Sequence, residues 1–150
     1  MFYAKCIAIF IGTLCYAVIN NIPKRHLIFS ALTGCAGYAV YLLFSPREIL
    51  GCFMGAFVIA VMGEILSRKR RDAATLFIIQ GIIPLVPGSK MFKMTQCLLA
   101  QDFSAAATWG VQVLLYAGGI AMAILLVSST VRSMTRYLSR LNSGGYIKKN

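Results

Sequence analysis

Four carboxylates occur in the 150-residue sequence, and one of them, Glu64, lies inside an apolar segment. It belongs to "VMGEILSRKRR", about one helical turn before a basic cluster. An ionisable side chain inside a membrane span is costly and marks an ion or substrate path by default. Two interpretations stay open: a proton-binding or gating carboxylate, or an ion pair with Arg68, four residues on in the favourable helical direction. Glu48 and Asp72 border polar joints and are expected to be solvated.

The stretch "GIIPLVPGSK", residues 81–90, places two prolines and a glycine where an apolar helix should continue. Each proline removes a backbone donor and clashes with the preceding turn, so a helix cannot pass undisturbed. Transporters use broken helices to present backbone dipoles to polar substrates near the middle of the membrane. The alternative is a span that ends at Pro87-Gly88 and is only kinked at Pro84. The predicted substrate path consists of Thr75, Gln80, Gly81, Pro84, Pro87, Gly88 and Ser89.

The composition indicates that these residues sit in a membrane. Hydrophobic residues make up 59% of the chain and charged residues 13%, whereas soluble domains are roughly half apolar and about a quarter charged. We predict an all-α, polytopic integral membrane protein of about five helices, with the fourth broken, in one domain over residues 1–142. The predicted spans are residues 2–20, 27–44, 48–66, 73–89 and 107–130. The longer joint, 90–106, is predicted to be an interfacial helix or an early extension of the fifth span.

The net charge of +11 is concentrated between the apolar segments, which predicts an orientation. Lys and Arg accumulate on the cytoplasmic side of membrane proteins, so we predict an outside N-terminus and a cytoplasmic C-terminus. Residues 143–150 are predicted to be a flexible basic cytoplasmic tail, and the basic loops and tail to contact anionic lipids. No nucleic-acid-binding motif accompanies the charge. The basic residues predicted inside are Lys24, Arg25, Arg68, Lys69, Arg70, Arg71, Arg132, Arg136, Arg140, Lys148 and Lys149; those outside are Lys5, Arg47, Lys90 and Lys93.

Other chemistry finds little support in the sequence. The five cysteines have neither CxxC nor Cys/His spacing, so no metal site is expected. The single histidine, His26, stands in a basic loop and is expected to be solvated. Paired carboxylates and a Ser/His/Asp set are lacking, so we do not expect an enzyme. No phosphate-binding G-x-x-x-x-G-K-[ST] motif occurs, and no cofactor is predicted.

Small residues are frequent in the spans and predict close helix packing. Gly51 and Gly55 have the GxxxG spacing that lets helix backbones approach. The chain is expected to pack on itself or on another subunit, and homo-oligomerisation is a further option. A structural or assembly subunit without substrate contact is therefore a second hypothesis. The break at residues 84–88 argues against it, because a scaffold has no need of one.

At this point the sequence resembles the threonine/serine exporter (ThrE-like) family. "GIIPLVPGS", preceded by "GEILSRKRRDAATLF", is similar to its G-x-x-P-L-V-P-G segment. Upstream "NIPKRHLIFSALTGCAGYAVYL" and downstream "AQDFSAAATWGVQVLLYAGGIAMAILL" resemble two further segments, so the likeness covers about residues 10–130. Departures occur at residues 73–74, 92 and 100–101. The positions that match are Pro23, Arg25, Glu64, Gly81, Pro84, Leu85, Pro87, Gly88 and Asp102.

The resemblance implies a function and a partner. Members are linked with efflux of threonine and serine, and two-subunit members with dicarboxylates such as succinate. This chain is similar to the small subunit, which implies a larger membrane partner and a bacterial cell membrane. Asp102, the matched acidic residue before the last span, joins Glu64 as a proton or gating candidate. Driving by the proton motive force is expected.

Overall fold

The computed structural model describes residues 2–44 and 47–146, and every regular element in these two ranges is helical. The helices are α1 (Phe2–Ile19), α2 (Lys24–Leu43), α3 (Glu48–Arg70), α4 (Ala74–Ile82), α5 (Gly88–Leu99) and α6 (Phe103–Tyr146), with a 3₁₀ turn over Ile83–Leu85. The all-α prediction is confirmed. Residues 147–150 of the predicted tail, and the side chains of Arg136 and Arg140, lie outside what is described.

The predicted break in the fourth span is confirmed. α4 ends at Ile82, the chain makes the 3₁₀ turn, and α5 begins at Gly88 with its axis bent by 55°. The prolines explain the bend, since neither supplies the backbone donor that a continuous helix needs. One freed carbonyl has a partner on α3: the Cys52 thiol donates to the Leu85 oxygen at 3.7 Å.

Three helices are long and apolar enough to cross a bilayer: α2, α3 and residues 103–135 of α6. The bent pair of α4 and α5 counts as a fourth at most. The apolar part of α1 that the structure describes, Cys6–Ile19, is shorter than the roughly 20 residues of an ordinary span. A multi-pass membrane protein is therefore shown, and the count of five stays a prediction.

Helix α3 lies at the centre of the bundle and packs against α2, α4 and α6. Glycines make these contacts close. A Cβ on Gly55 would stand 2.8 Å from the Gly37 carbonyl oxygen of α2, and one on Gly63 would stand 2.5 Å from Ile78 of α4. The Gly51/Gly55 pair thus serves packing within the chain, because Gly51 likewise faces the Tyr41 carbonyl oxygen at 3.1 Å.

Side chains from the first turn of α2 and from the α3–α4 joint meet at one end of the bundle, here called the Asp72 end. His26 is only 1% exposed and packs edge-on against Phe77. Its Nε2 lies 2.9 Å from Oδ2 of Asp72, at ion-pair distance but without hydrogen-bond geometry, and Arg25 lies 3.4 Å from the other carboxylate oxygen. The expectation that His26 and Asp72 are solvated is therefore wrong. Sequence spacing did not reveal a contact between two residues 46 positions apart.

Substitution of Asp72 by Asn is expected to destabilise the protein by up to about 1 kcal/mol, because it removes the carboxylate charge that lies 2.9 Å from His26 and 3.4 Å from Arg25. The measurement is the thermal midpoint of the detergent-solubilised protein. Asp102→Asn is the matched control: Asp102 is exposed and accepts the Ala105 N–H at 3.0 Å as a helix cap, a role that Asn fills equally well. Equal midpoints for the two variants would show that the contact of Asp72 with His26 and Arg25 does not stabilise the fold.

Candidate functional site

A groove of about 590 Å³ runs between α4 and α6, with α3 as its floor. α4 and α6 both pack on α3, and within the described residues their backbones do not come close to each other, which leaves the groove open on one side. It lies in the half of the bundle nearer the Asp72 end. Most of the lining is aliphatic, and the polar members are Glu64, Thr75, Ser128, Ser129 and Arg132.

Glu64 is half-buried and faces this groove from α3. Its ion pair with Arg68 does not form in the described structure, where the ion pairs involve Asp72 and Glu48. Arg68 instead donates to the Thr135 hydroxyl of α6 at 2.5 Å. Of the two interpretations of Glu64, the geometry therefore favours a carboxylate available to a ligand or proton.

Two residues of the predicted path, Gln80 and Gly81, lie on the face of α4 that is turned away from the groove, toward α1 and α2. Gln80 is 4% exposed, and its Oε1 has no hydrogen-bond partner in the structure. It borders a cavity of about 260 Å³ that Thr75 also lines. Gly81 packs between Ile59 and Thr33, where a Cβ would stand 2.7 Å from the isoleucine. An unpaired buried amide oxygen is costly, so Gln80 is a second polar point that a hydrated solute could use.

The break residues lie further along, above the first two turns of α3. Pro84 and Pro87 are half-buried, whereas Gly88 and Ser89 are exposed. Leu85 between them is buried against Cys52. The structure thus brings Glu64 and Thr75 into one groove and orders Gln80, Gly81 and the break along the same helix. Asp102 lies at the α5–α6 joint and lines none of these cavities.

A second polar cluster, which sequence reasoning missed, lies at the opposite end of the bundle, here called the Glu48 end. Lys90 donates to Oε2 of Glu48 at 2.8 Å and to Oε1 of Gln112 at 3.2 Å. The Tyr116 hydroxyl donates to the same Glu48 oxygen, and the Lys90 ammonium sits 4.7 Å from the Tyr116 ring centre. Glu48 is 53% exposed, in agreement with the expectation that it is solvated, and it also accepts from two donors, Lys90 and Tyr116. In the sequence, the one sign of this cluster was a charged residue, Lys90, three positions after Pro87.

The cluster borders a cavity of about 420 Å³ whose other walls are Arg47, Ile49 and Leu50. One acidic and two basic side chains therefore share a single opening with an amide and a phenol. Among the side chains that the structure describes, no three His, Cys, Asp or Glu residues lie close enough to hold a metal ion. The chemistry that both polar sites offer is the binding of charged and hydroxyl groups.

Comparison with known protein families decides what kind of protein carries these sites. The family profile described as "Threonine/Serine exporter, ThrE" matches residues 5–130. The chain belongs to this exporter family. Searches of curated proteins and of solved structures gave no match.

The match runs from residue 5 in α1 to residue 130 in α6, and it includes every residue that lines the groove except Arg132. It confirms the family that the "GIIPLVPGS" segment resembled. The chain is thus a membrane transport protein of the threonine/serine exporter kind, and membership in a family of transporters favours transport over catalysis. The break of α4 is the feature that the family motif and the structure share.

Proposed function

We propose that this chain is the small subunit of a secondary exporter that moves small polar metabolites, threonine and serine foremost, out of the cell together with a larger membrane subunit. The observation that carries the proposal is the groove between α4 and α6 in a chain of an exporter family. Glu64, Arg132 and three hydroxyls line it in otherwise apolar helices. Polar groups at membrane depth that face a cavity are the usual form of a transport site.

The groove chemistry suits a hydroxy amino acid. The Glu64 carboxylate would bind the ammonium group, Arg132 would bind the carboxylate, and Thr75, Ser128 and Ser129 would bond the side-chain hydroxyl. Solute would then pass along α4 to the break on its way to the Glu48 end. This order follows the chain direction of α4, which leads from the Asp72 end toward the break.

The open side of the groove supports a partner. Nothing in the described part of the chain covers the gap between α4 and α6, and neighbouring α6 residues such as Leu125 and Leu126 are largely exposed. A larger subunit that packs there would close the path against lipid. Homo-oligomerisation would do so as well.

Driving by the proton motive force is proposed for Glu64. A carboxylate that alternates between binding a proton and binding the substrate ammonium couples the two flows.

For the orientation, we propose that the basic Asp72 end, with Arg25, Arg70 and Arg71, lies at the cytoplasmic side and its anionic lipids. The Glu48 end then faces outward, so that the groove opens toward the cytoplasm and suits uptake of solute for export.

The test is efflux of labelled threonine, serine and succinate from cells that produce this chain alone, the larger subunit alone, or both. Efflux of the amino acids only with both subunits is expected. Succinate efflux without amino-acid efflux would instead favour a dicarboxylate exporter. Full efflux with the larger subunit alone would make this chain an assembly factor and overturn the proposal.

Straightening the break is expected to reduce export by about tenfold. In the double variant Pro84→Ala/Pro87→Ala both missing donors return, so α4 is free to continue into α5 and close the irregular segment. The measurement is the rate of threonine efflux at matched membrane levels. Val86→Ala, an exposed side chain in the same segment, is the control and should keep the normal rate. An unaffected double variant would show that the break does not serve transport.

A further inference from the structure

We propose that the cavity at the Glu48 end is a second binding site for the zwitterionic head group of an α-amino acid, distinct from the groove at Glu64. The inference rests on the proposed function, and it adds a second site for the same solutes, which carry both an ammonium and a carboxylate group. Glu48 and Lys90 would recognise the two charges, and Tyr116 and Gln112 would supply further hydrogen bonds.

The geometry of the cluster carries the proposal. Glu48 comes from the first turn of α3, Lys90 from the first turn of α5, and Tyr116 and Gln112 from α6, so three helices contribute to one opening. Lys90 is mostly shielded, with 21% of its side chain exposed, and it makes contacts with each of the other three. Charged groups held by several partners are preorganised, which lowers the cost of binding a charged ligand.

An amino acid can enter this site without leaving a charge unpaired. Its carboxylate replaces Glu48 as the partner of Lys90, and its ammonium replaces Lys90 as the partner of Glu48. The ion pair between Glu48 and Lys90 is thus exchanged for two ion pairs with the ligand, and each charged group keeps a charge-assisted hydrogen bond. A dicarboxylate would pair with Lys90 and Arg47 and leave Glu48 without a cationic partner, whereas the ammonium group of an amino acid supplies one. Ile49 and Leu50 supply apolar walls for a short side chain.

Both sites take residues from α3 and α6, and the cation of the outer site, Lys90, comes from α5. Glu48 and Glu64 are 16 residues apart on α3, and Tyr116 and Arg132 are 16 residues apart on α6. The two helices run in parallel, since Tyr116 bonds Glu48 at one end and Thr135 bonds Arg68 at the other. At 1.5 Å per residue the sites are separated by about 24 Å. Solute released from the groove would therefore meet a second carboxylate and a second cation, Glu48 and Lys90, before it leaves.

The test uses right-side-out membrane vesicles that contain both subunits and labelled internal threonine. External threonine should exchange with the label, and its half-saturating concentration reports the outer site. We expect Glu48→Gln and Lys90→Met each to raise that concentration about tenfold or more. Lys93→Met is the matched control, because Lys93 lies one turn further along α5, stacked on Trp109, outside the cavity; it should behave as wild type.

Selectivity gives a second reading that does not depend on how much variant protein is present. Wild type should prefer threonine over N-acetylthreonine, which lacks the ammonium, and over threoninol, which lacks the carboxylate. Glu48→Gln should lose the first preference and Lys90→Met the second. If wild type exchanges threonine and both variants keep both preferences and the normal half-saturating concentration, this site is overturned and the exporter function stands. If wild type shows no exchange, the exporter function fails and this site fails with it.

Discussion

Replacing Glu64 by Gln is expected to lower threonine efflux about tenfold or more while the chain accumulates normally in the membrane. Gln has nearly the same size and keeps the hydrogen-bonding capacity, but it carries neither the negative charge nor the exchangeable proton. A hydrogen bond to a charged group contributes about 1.5–3 kcal/mol, which corresponds to roughly 10- to 150-fold in rate or affinity. Because Arg68 is bonded to Thr135 rather than to Glu64, the substitution removes no ion pair within the described structure.

Glu64→Asp is the matched variant for this prediction, since it keeps the charge and shortens the side chain by one methylene. It should retain a substantial share of the efflux. The efflux of both variants is measured with the larger subunit present and normalised to the amount of each chain in the membrane. Normal efflux of Glu64→Gln would contradict the role of Glu64 and leave Asp102 as the remaining carboxylate candidate from the family motif.

Gly55→Ala is expected to destabilise the bundle strongly, although alanine is the smallest possible addition to a helix. Its Cβ would stand 2.8 Å from the Gly37 carbonyl oxygen and 2.7 Å from the Leu85 side chain. The carbonyl is backbone, so α2 and α3 must move apart, and overpacking of this kind costs about 1–3 kcal/mol. We expect a lower thermal midpoint in detergent and a lower steady-state amount in the membrane.

Gly118→Ala is the control with the opposite expectation. Gly118 is exposed on α6, and a Cβ there meets nothing within 4 Å. Alanine favours helix over glycine by up to about 1 kcal/mol, so the midpoint should stay the same or rise. A fall of similar size in both variants would show that the effect comes from glycine replacement in general and not from the α2–α3 contact.

The helix break could be predicted because its cause is local. Two prolines and a glycine within five residues act on the backbone of their own segment, whatever surrounds them. For the same reason most span boundaries were close, and α6 begins at Phe103, four residues before the predicted start. The joint at 90–106 is largely helical, as predicted: most of it belongs to α5, which starts directly after Pro87 and packs on α6.

The polar contacts could not be predicted because they depend on tertiary packing. His26 and Asp72 come from different segments, and Glu48, Lys90 and Tyr116 come from three different helices. Sequence spacing places residues on one helix face, but it does not say which helix that face meets. For Glu64 the sequence offered a contact that the described structure does not form. Its spacing to Arg68 was suitable for an ion pair, but Arg68 donates to the Thr135 hydroxyl of α6.

The most direct test of the account is reconstitution of the purified chain and its larger subunit into liposomes loaded with labelled threonine. The liposome lumen represents the cytoplasm, so the external medium is made more acidic than the lumen. The release of label is then followed. We expect the gradient to accelerate release when both subunits are present. When either subunit is alone, release should be no faster than from protein-free liposomes that hold the same label. Release at the protein-free rate with both subunits present, in a complex shown to be intact, would contradict the account.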